Sequence, residues 1–227
     1  MPNDPFPIIL VPQGAEYKAV CRGLSRITTA KPTVIPIPIG SQALTTYLKA
    51  CQDELWNAPD AKVLVMGLCG SLRDRFKVGD IVLYEECVYE TQVQQCDRSF
   101  TAELYAHLQD KVSLVKGMSC DRVVCSAKEK LHLSEISKAD VVDMEGFATL
   151  EFFQQAGVEV AMLRVVSDDS GHDIPDLTSA INSDGSLQPL PLAITMIRQP
   201  IAATRLIRGS LQALKVLEEV TAFVFAR

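Results

Sequence analysis

Two acids stand out by where they fall. The stretch Val141-Val142-Asp143-Met144-Glu145-Gly146 is followed about twenty residues later by Arg164-Val165-Val166-Ser167-Asp168. Each apolar, strand-like run ends at a carboxylate, Glu145 or Asp168, with a helical pattern between them. Open α/β sheets bind ligands at the carboxyl ends of their strands, so two acids delivered to one sheet edge suggest a site. The pair suits breakage of a glycosidic bond. An oxocarbenium-like transition state needs an acid at the leaving group and anionic hydrogen-bond acceptors around the sugar. Spacing alone leaves an equal alternative, in which both acids sit at helix N-termini and answer the macrodipole.

The elements that must position these acids alternate along the chain. Ile8–Val11, Val34–Ile39, Val63–Met66, Ile81–Tyr84, Leu114–Met118 and Val160–Val166 read as strands. Pro36 and Pro38 confine the second to an edge or an extended segment. Helices are expected over Glu16–Leu24, Ser41–Cys51, Thr101–Leu108 and Gly146–Ala156, the last stopped by Gly157. Alternating strands and helices predict an α/β fold with a mixed, largely parallel sheet. In the tail, Ile207, Leu211, Leu214, Leu217 and Thr221 recur at helical spacing after Pro200. The segment Leu187–Ile197, interrupted by Pro189 and Pro191, reads as an apolar connecting loop. A stripe at helical spacing is usually core, and a membrane-surface or apolar-ligand role is the alternative.

Composition narrows the function. The chain has 227 residues and 48% apolar content, enough for one domain that buries roughly 70% of its unfolded surface. A net charge of −6 with no basic run argues against a nucleic-acid partner. Seven scattered cysteines without a CxxC, and three histidines without an HExxH, argue against a metal site. Free cysteines suit a reducing cytoplasm. The start Met1-Pro2-Asn3-Asp4-Pro5 lacks a signal-peptide pattern, and no run reaches the roughly 18 apolar residues of a transmembrane segment. No GxGxxG follows a strand, which argues against dinucleotide binding.

Four motifs occur in an order with a family parallel: Gly67-Leu68-Cys69-Gly70-Ser71-Leu72, Lys77-Val78-Gly79-Asp80-Ile81-Val82, Met144-Glu145 and Ser167-Asp168. From about Ile8 to Asp173 the chain resembles the nucleoside phosphorylase and nucleosidase superfamily, which includes purine nucleoside phosphorylases and methylthioadenosine/S-adenosylhomocysteine nucleosidases. The resemblance implies a three-layer α/β/α fold about a central mixed β-sheet. It implies one domain over residues 1–227, with a C-terminal helical extension from about 186. Homo-oligomers are the rule among such enzymes, and one is expected here. No cofactor is expected, and inorganic phosphate would be the co-substrate only for phosphorolysis.

The same resemblance assigns roles. Asp168 would assist protonation of the departing purine at N7, and Glu16 would activate water. Glu145 would accept from the ribose hydroxyls, with Met144 under the sugar. Val123, in Ser119-Cys120-Asp121-Arg122-Val123-Val124, would stack on the base near Ser167. Gly67, Leu68 and Gly70 read as a glycine turn whose N–H groups face water or phosphate. Two departures bear on the acceptor: Leu68 replaces a usual serine, and Val65 replaces an arginine of many phosphorylases. Both favour water. A further likeness runs through Asp121-Arg122-Val123-Val124, Ala127-Lys128-Glu129-Lys130-Leu131, Ile174-Pro175, Asp184-Gly185 and Arg198-Gln199-Pro200 to a hopanoid-associated branch. Gly146 stands where that branch often has serine. This likeness implies adenine release from a nucleoside carrying an apolar 5′ group, adenosylhopane. Phosphorolysis, methylthioadenosine-type hydrolysis and a non-catalytic nucleoside-binding role are the alternatives.

Overall fold

The computed structural model of the chain describes residues 7–28, 30–51, 61–177, 180–182, 184–186 and 188–226. The N-terminal stretch Met1–Pro5 and Leu187, both read above, lie outside the described residues. The chain opens with β1 (Ile8–Pro12), α1 (Ala15–Ser25), β2 (Val34–Ile37) and α2 (Ser41–Ala50). It continues with β3 (Lys62–Ser71), β4 (Ile81–Tyr89), β5 (Gln92–Gln95), α3 (Arg98–Leu108) and β6 (Val112–Ser119). Then come α4 (Ala127–Ser137), β7 (Val141–Asp143), α5 (Gly146–Ala156), β8 (Glu159–Asp168), α6 (Pro189–Arg198) and α7 (Pro200–Phe225).

β3 and β8 form the centre of the sheet. They pair in parallel from Lys62↔Glu159 to Cys69↔Val166, with a shift before Gly70↔Asp168. Both are almost wholly buried, which is why they read as unbroken apolar runs rather than alternating ones. β1 and then β2 extend the sheet in parallel from β3. On the other side β8 pairs antiparallel with β4, β4 parallel with β6, and β6 parallel with β7. β7 then returns to β3, antiparallel through Gly70↔Val142. Five strands, β3-β8-β4-β6-β7, thus pair around a closed ring, and β7 bridges β3 and β6.

Helices cover both sheet faces, as the three-layer expectation requires. Leu44 and Leu48 of α2 and Phe147, Leu150 and Phe153 of α5 pack with Val63, Val65 and Met162. Val20 and Leu24 of α1, Phe100 and Leu104 of α3, and Leu217 and Val220 of α7 pack with Ile9, Leu64 and Leu163. At Gly157 the backbone turns left-handed, φ +70°, and ends α5 where the sequence placed its stop.

The structure corrects three expectations. The strand read as ending at Met66 runs on to Ser71, because β8 supplies ladder partners through that stretch; residues 67–70 are strand, not turn. The apolar loop contains helix α6, with Pro189 in its first turn, where a missing N–H costs nothing. The buried stripe of α7 is Ala203, Ala213, Leu217, Val220, Thr221 and Val224, whereas Ile207 and Leu211 face outward.

Candidate active site

Glycines make room for carboxylates where β3, β7 and β8 meet. A Cβ on Gly70 would lie 2.9 Å from Asp168 Oδ2. One on Gly146 would lie 2.7 Å from Asp143 Oδ2. One on Gly67 would lie 2.7 Å from Glu16 Oε1 and would strike Arg164 Nη1. Heavy atoms that close clash, so each glycine holds open the space its neighbour's polar group occupies.

Glu16, in the first turn of α1, accepts the Leu68 N–H at 2.6 Å. That N–H is therefore engaged by protein and does not point into an anion cradle. Burial and the neighbouring Glu145 carboxylate push the Glu16 acid up to about 7. Glu145 precedes α5 without capping it; its Oε1 instead accepts the Gly40 N–H at 2.9 Å. Burial raises its pKa, and Arg164 opposes that rise. The macrodipole alternative does not account for Asp168, which ends a strand, but it fits Glu145, which is the N-cap residue of α5 and places its carboxylate at the N-terminus of α2.

Arg164 is the charge these acids share. It is fully buried in the middle of β8. Its Nη2 lies 3.0 Å from Asp143 Oδ2 and 3.6 Å from Glu145 Oε2. Asp143 also accepts from Ser119 Oγ at 2.6 Å and from the Gly146 N–H at 3.1 Å. Asp168 has its own cation: Lys130 Nζ, fully buried, donates to Asp168 Oδ2, and also to the Asp169 carbonyl at 2.6 Å. Ser167 Oγ lies 2.9 Å from Asp168 Oδ1 and 3.2 Å from the Cys69 carbonyl. Burial drives the Cys69 thiol well above its ordinary pKa, which removes the thiolate a nucleophile needs.

One cavity of about 230 Å³ gathers Glu16, Leu68, Gly70, Val123, Met144, Glu145, Ser167 and Asp168, walled further by Ile174, Leu177 and Leu206. Gly67 is not on its wall; it sits between Glu16 and Arg164. A larger space of about 780 Å³ adjoins it, sharing Ile39, Arg122, Val123 and Met144. Sequence reasoning did not single out Arg164, Asp143 or Lys130 as site residues. Arg164 carried a signal, a charge inside the run Ala161–Val166, since an arginine is fully buried only when paired. Lys130 carried none.

A family model described as the phosphorylase superfamily matches residues 57–184, more than half of the chain. No curated protein matches it. Among solved structures, the chain is similar to a 5′-methylthioadenosine/S-adenosylhomocysteine nucleosidase of Helicobacter pylori, with 17% identity, TM-score 0.68 and 96% of each chain covered. It is similar to the futalosine hydrolase of Helicobacter pylori, with 16% identity, TM-score 0.70 and 96% of each chain covered. It is also similar to a Streptococcus pneumoniae nucleosidase solved with 8-aminoadenine, with 16% identity, TM-score 0.61, and 94% and 99% covered. At these identities the likeness is one of fold.

Proposed function

The chain belongs to the phosphorylase superfamily, and from that premise we propose that it cleaves the N-glycosidic bond of a purine nucleoside, with water as acceptor and adenine as the released base. The observation that carries this reading is the convergence of Glu16, Glu145 and Asp168 on one cavity, with Glu16 poised at about 7. A general base works best with a pKa near the working pH. In this mechanism Glu16 takes a proton from water as it attacks the anomeric carbon. Glu145 accepts from the ribose hydroxyls and offsets the positive charge growing on the ring. Asp168, oriented by Lys130 and Ser167, hydrogen-bonds N7 and carries a proton to the leaving base. Val123 packs on the base and Met144 under the sugar.

Water is favoured over phosphate on electrostatic grounds. The cavity floor holds Glu16, Asp143, Glu145 and Asp168, and its buried cations, Arg164 and Lys130, already face carboxylates. A phosphate dianion would meet like charge there. The likeness to the hopanoid-associated branch, together with the apolar wall of Ile174, Leu177 and Leu206, supports a substrate with an apolar 5′ group such as adenosylhopane. The similarity to 5′-methylthioadenosine/S-adenosylhomocysteine nucleosidases makes a short 5′ group the second reading.

The test is free-base release from adenosine, methylthioadenosine, inosine, uridine and an adenosine with a long apolar 5′ group, each with and without phosphate. Phosphate-independent adenine release, fastest from the apolar substrate, is expected. A strict phosphate requirement overturns the choice of water. Binding without release from any substrate would mean that the cavity is a nucleoside receptor.

A further inference from the structure

α6 is an apolar helix that half-buries Leu192 and Met196 on one side and leaves its other large apolar side chains exposed. It has no buried residue, and Leu190, Ile194 and Ile197 recur at i, i+4 and i+7 with half to three-quarters of each exposed. Ile201, Ile207 and Leu211 carry the same exposed apolar character along the first half of α7. An apolar stripe at helical spacing ordinarily faces core; this one faces outward.

Charge identifies what would cover it. From Gly185 to Leu217 the sequence contains Arg198, Arg205, Arg208 and Lys215 and not one acid, although the chain as a whole carries −6. All four cations are exposed. Lys215 pairs with Glu219; among the described residues Arg198, Arg205 and Arg208 form no ion pair. Apolar side chains interleaved with arginines suit the boundary between headgroups and acyl chains, where the guanidinium groups meet anionic headgroups. A two-fold pairing of this face with a second copy would set the same arginines against each other. No helix among the described residues is long and apolar enough to cross a membrane, so the contact would be with the surface.

The patch also has a fixed relation to the cavity. Leu206 of α7 lines the cavity that holds Glu16 and Asp168, while Arg205 and Arg208, on the outward side of the same turns, line a shallow groove with Pro200, Ile201 and Thr204. We propose that α6 and the outer face of the first half of α7 form a docking surface for an anionic lipid bilayer, which brings the cavity wall at Leu206 to the membrane interface. A substrate with a lipid tail could then pass its polar head to the cavity without leaving the bilayer. The docking itself does not depend on the reaction assigned above.

Co-sedimentation of the full chain with vesicles tests this. Vesicles of equal parts phosphatidylcholine and phosphatidylglycerol should bind the protein, and pure phosphatidylcholine should bind it far less. Ile197→Asp with Ile201→Asp, and separately Arg198→Gln with Arg205→Gln and Arg208→Gln, should weaken binding roughly tenfold or more. Thermal unfolding should be unchanged in both variants, as should base release from a water-soluble nucleoside if the chain releases base at all. Failure of the unaltered chain to bind anionic vesicles overturns the proposal. So does binding that neither variant weakens. An equilibrium dimer that Ile197→Asp dissociates would assign the face to a second copy instead.

Discussion

At the scale of single residues, the cavity is a set of acids that each have different partners. Glu16 is the clearest case. Its acid form persists to about 7 because burial and Glu145 disfavour the charge. If Glu16 is the base, kcat/KM rises through about pH 7 and is lost below it. Folding has the opposite dependence. A carboxyl whose folded pKa is raised contributes stability at low pH and forfeits it as pH climbs from the unfolded value through about 7. Glu16→Gln should therefore be nearly inactive, down at least 10²-fold, yet more stable than the parent at pH 8 by on the order of 2 kcal/mol and no more stable at pH 4. Urea midpoints at both pH values check the sign. Asp168→Asn should lower kcat far more than it alters KM in steady-state kinetics. Lys130→Met removes the cation that pairs with Asp168 and should cost about 3 kcal/mol. The pair Lys130→Met, Asp168→Asn should regain much of that loss, which a double-mutant cycle on chemical unfolding measures. Glu16, Glu145 and Asp168 were legible because their motifs lie on strand ends in a familiar order. Lys130 was not, because α4 and the end of β8 meet only in three dimensions and nothing local distinguishes one helical lysine from the next.

Secondary-structure elements show where sequence signals stop short. The sheet strands were legible as apolar runs, but their lengths were not, since hydrogen-bond partners rather than side chains decide how far a strand extends. β3 outran its expected end because β8 runs beside it to Gly70↔Asp168. The hairpin partner β5 was missed because Gln92–Gln95 is polar and mostly exposed. α4 was missed because it buries Lys130 and Ser134 instead of an apolar stripe. The continuation of β3 makes a specific demand. At Gly67 an added methyl would strike Arg164 and Glu16, so Gly67→Ala should displace both. The expected outcome is at least a tenfold loss of base release with far-UV circular dichroism close to the parent's, because the strand tolerates alanine and the site does not.

On the scale of the whole molecule, α7 is more than an extension. Its inner face covers α1 and β8, with Leu217, Val220 and Val224 in the core shared by Val20 and Leu163. The division into one domain with a C-terminal helical addition is therefore testable by cutting before Pro200. The shortened chain should fail to fold cooperatively, giving no sharp thermal transition in calorimetry, since it uncovers one face of the sheet. An intact transition would mark residues 200–227 as dispensable cover. The closed pairing of β3, β8, β4, β6 and β7 has its own outcome. Among the described residues it leaves the sheet with two free margins, β2 and β5. β2 is four residues long and contains Pro36, which has no N–H to offer; β5 is equally short and glutamine-rich. Neither margin presents a long ladder on which another chain could template itself. The pairing keeps the oily strands β3 and β8 away from an open border, where such sequences invite fibrillar aggregation.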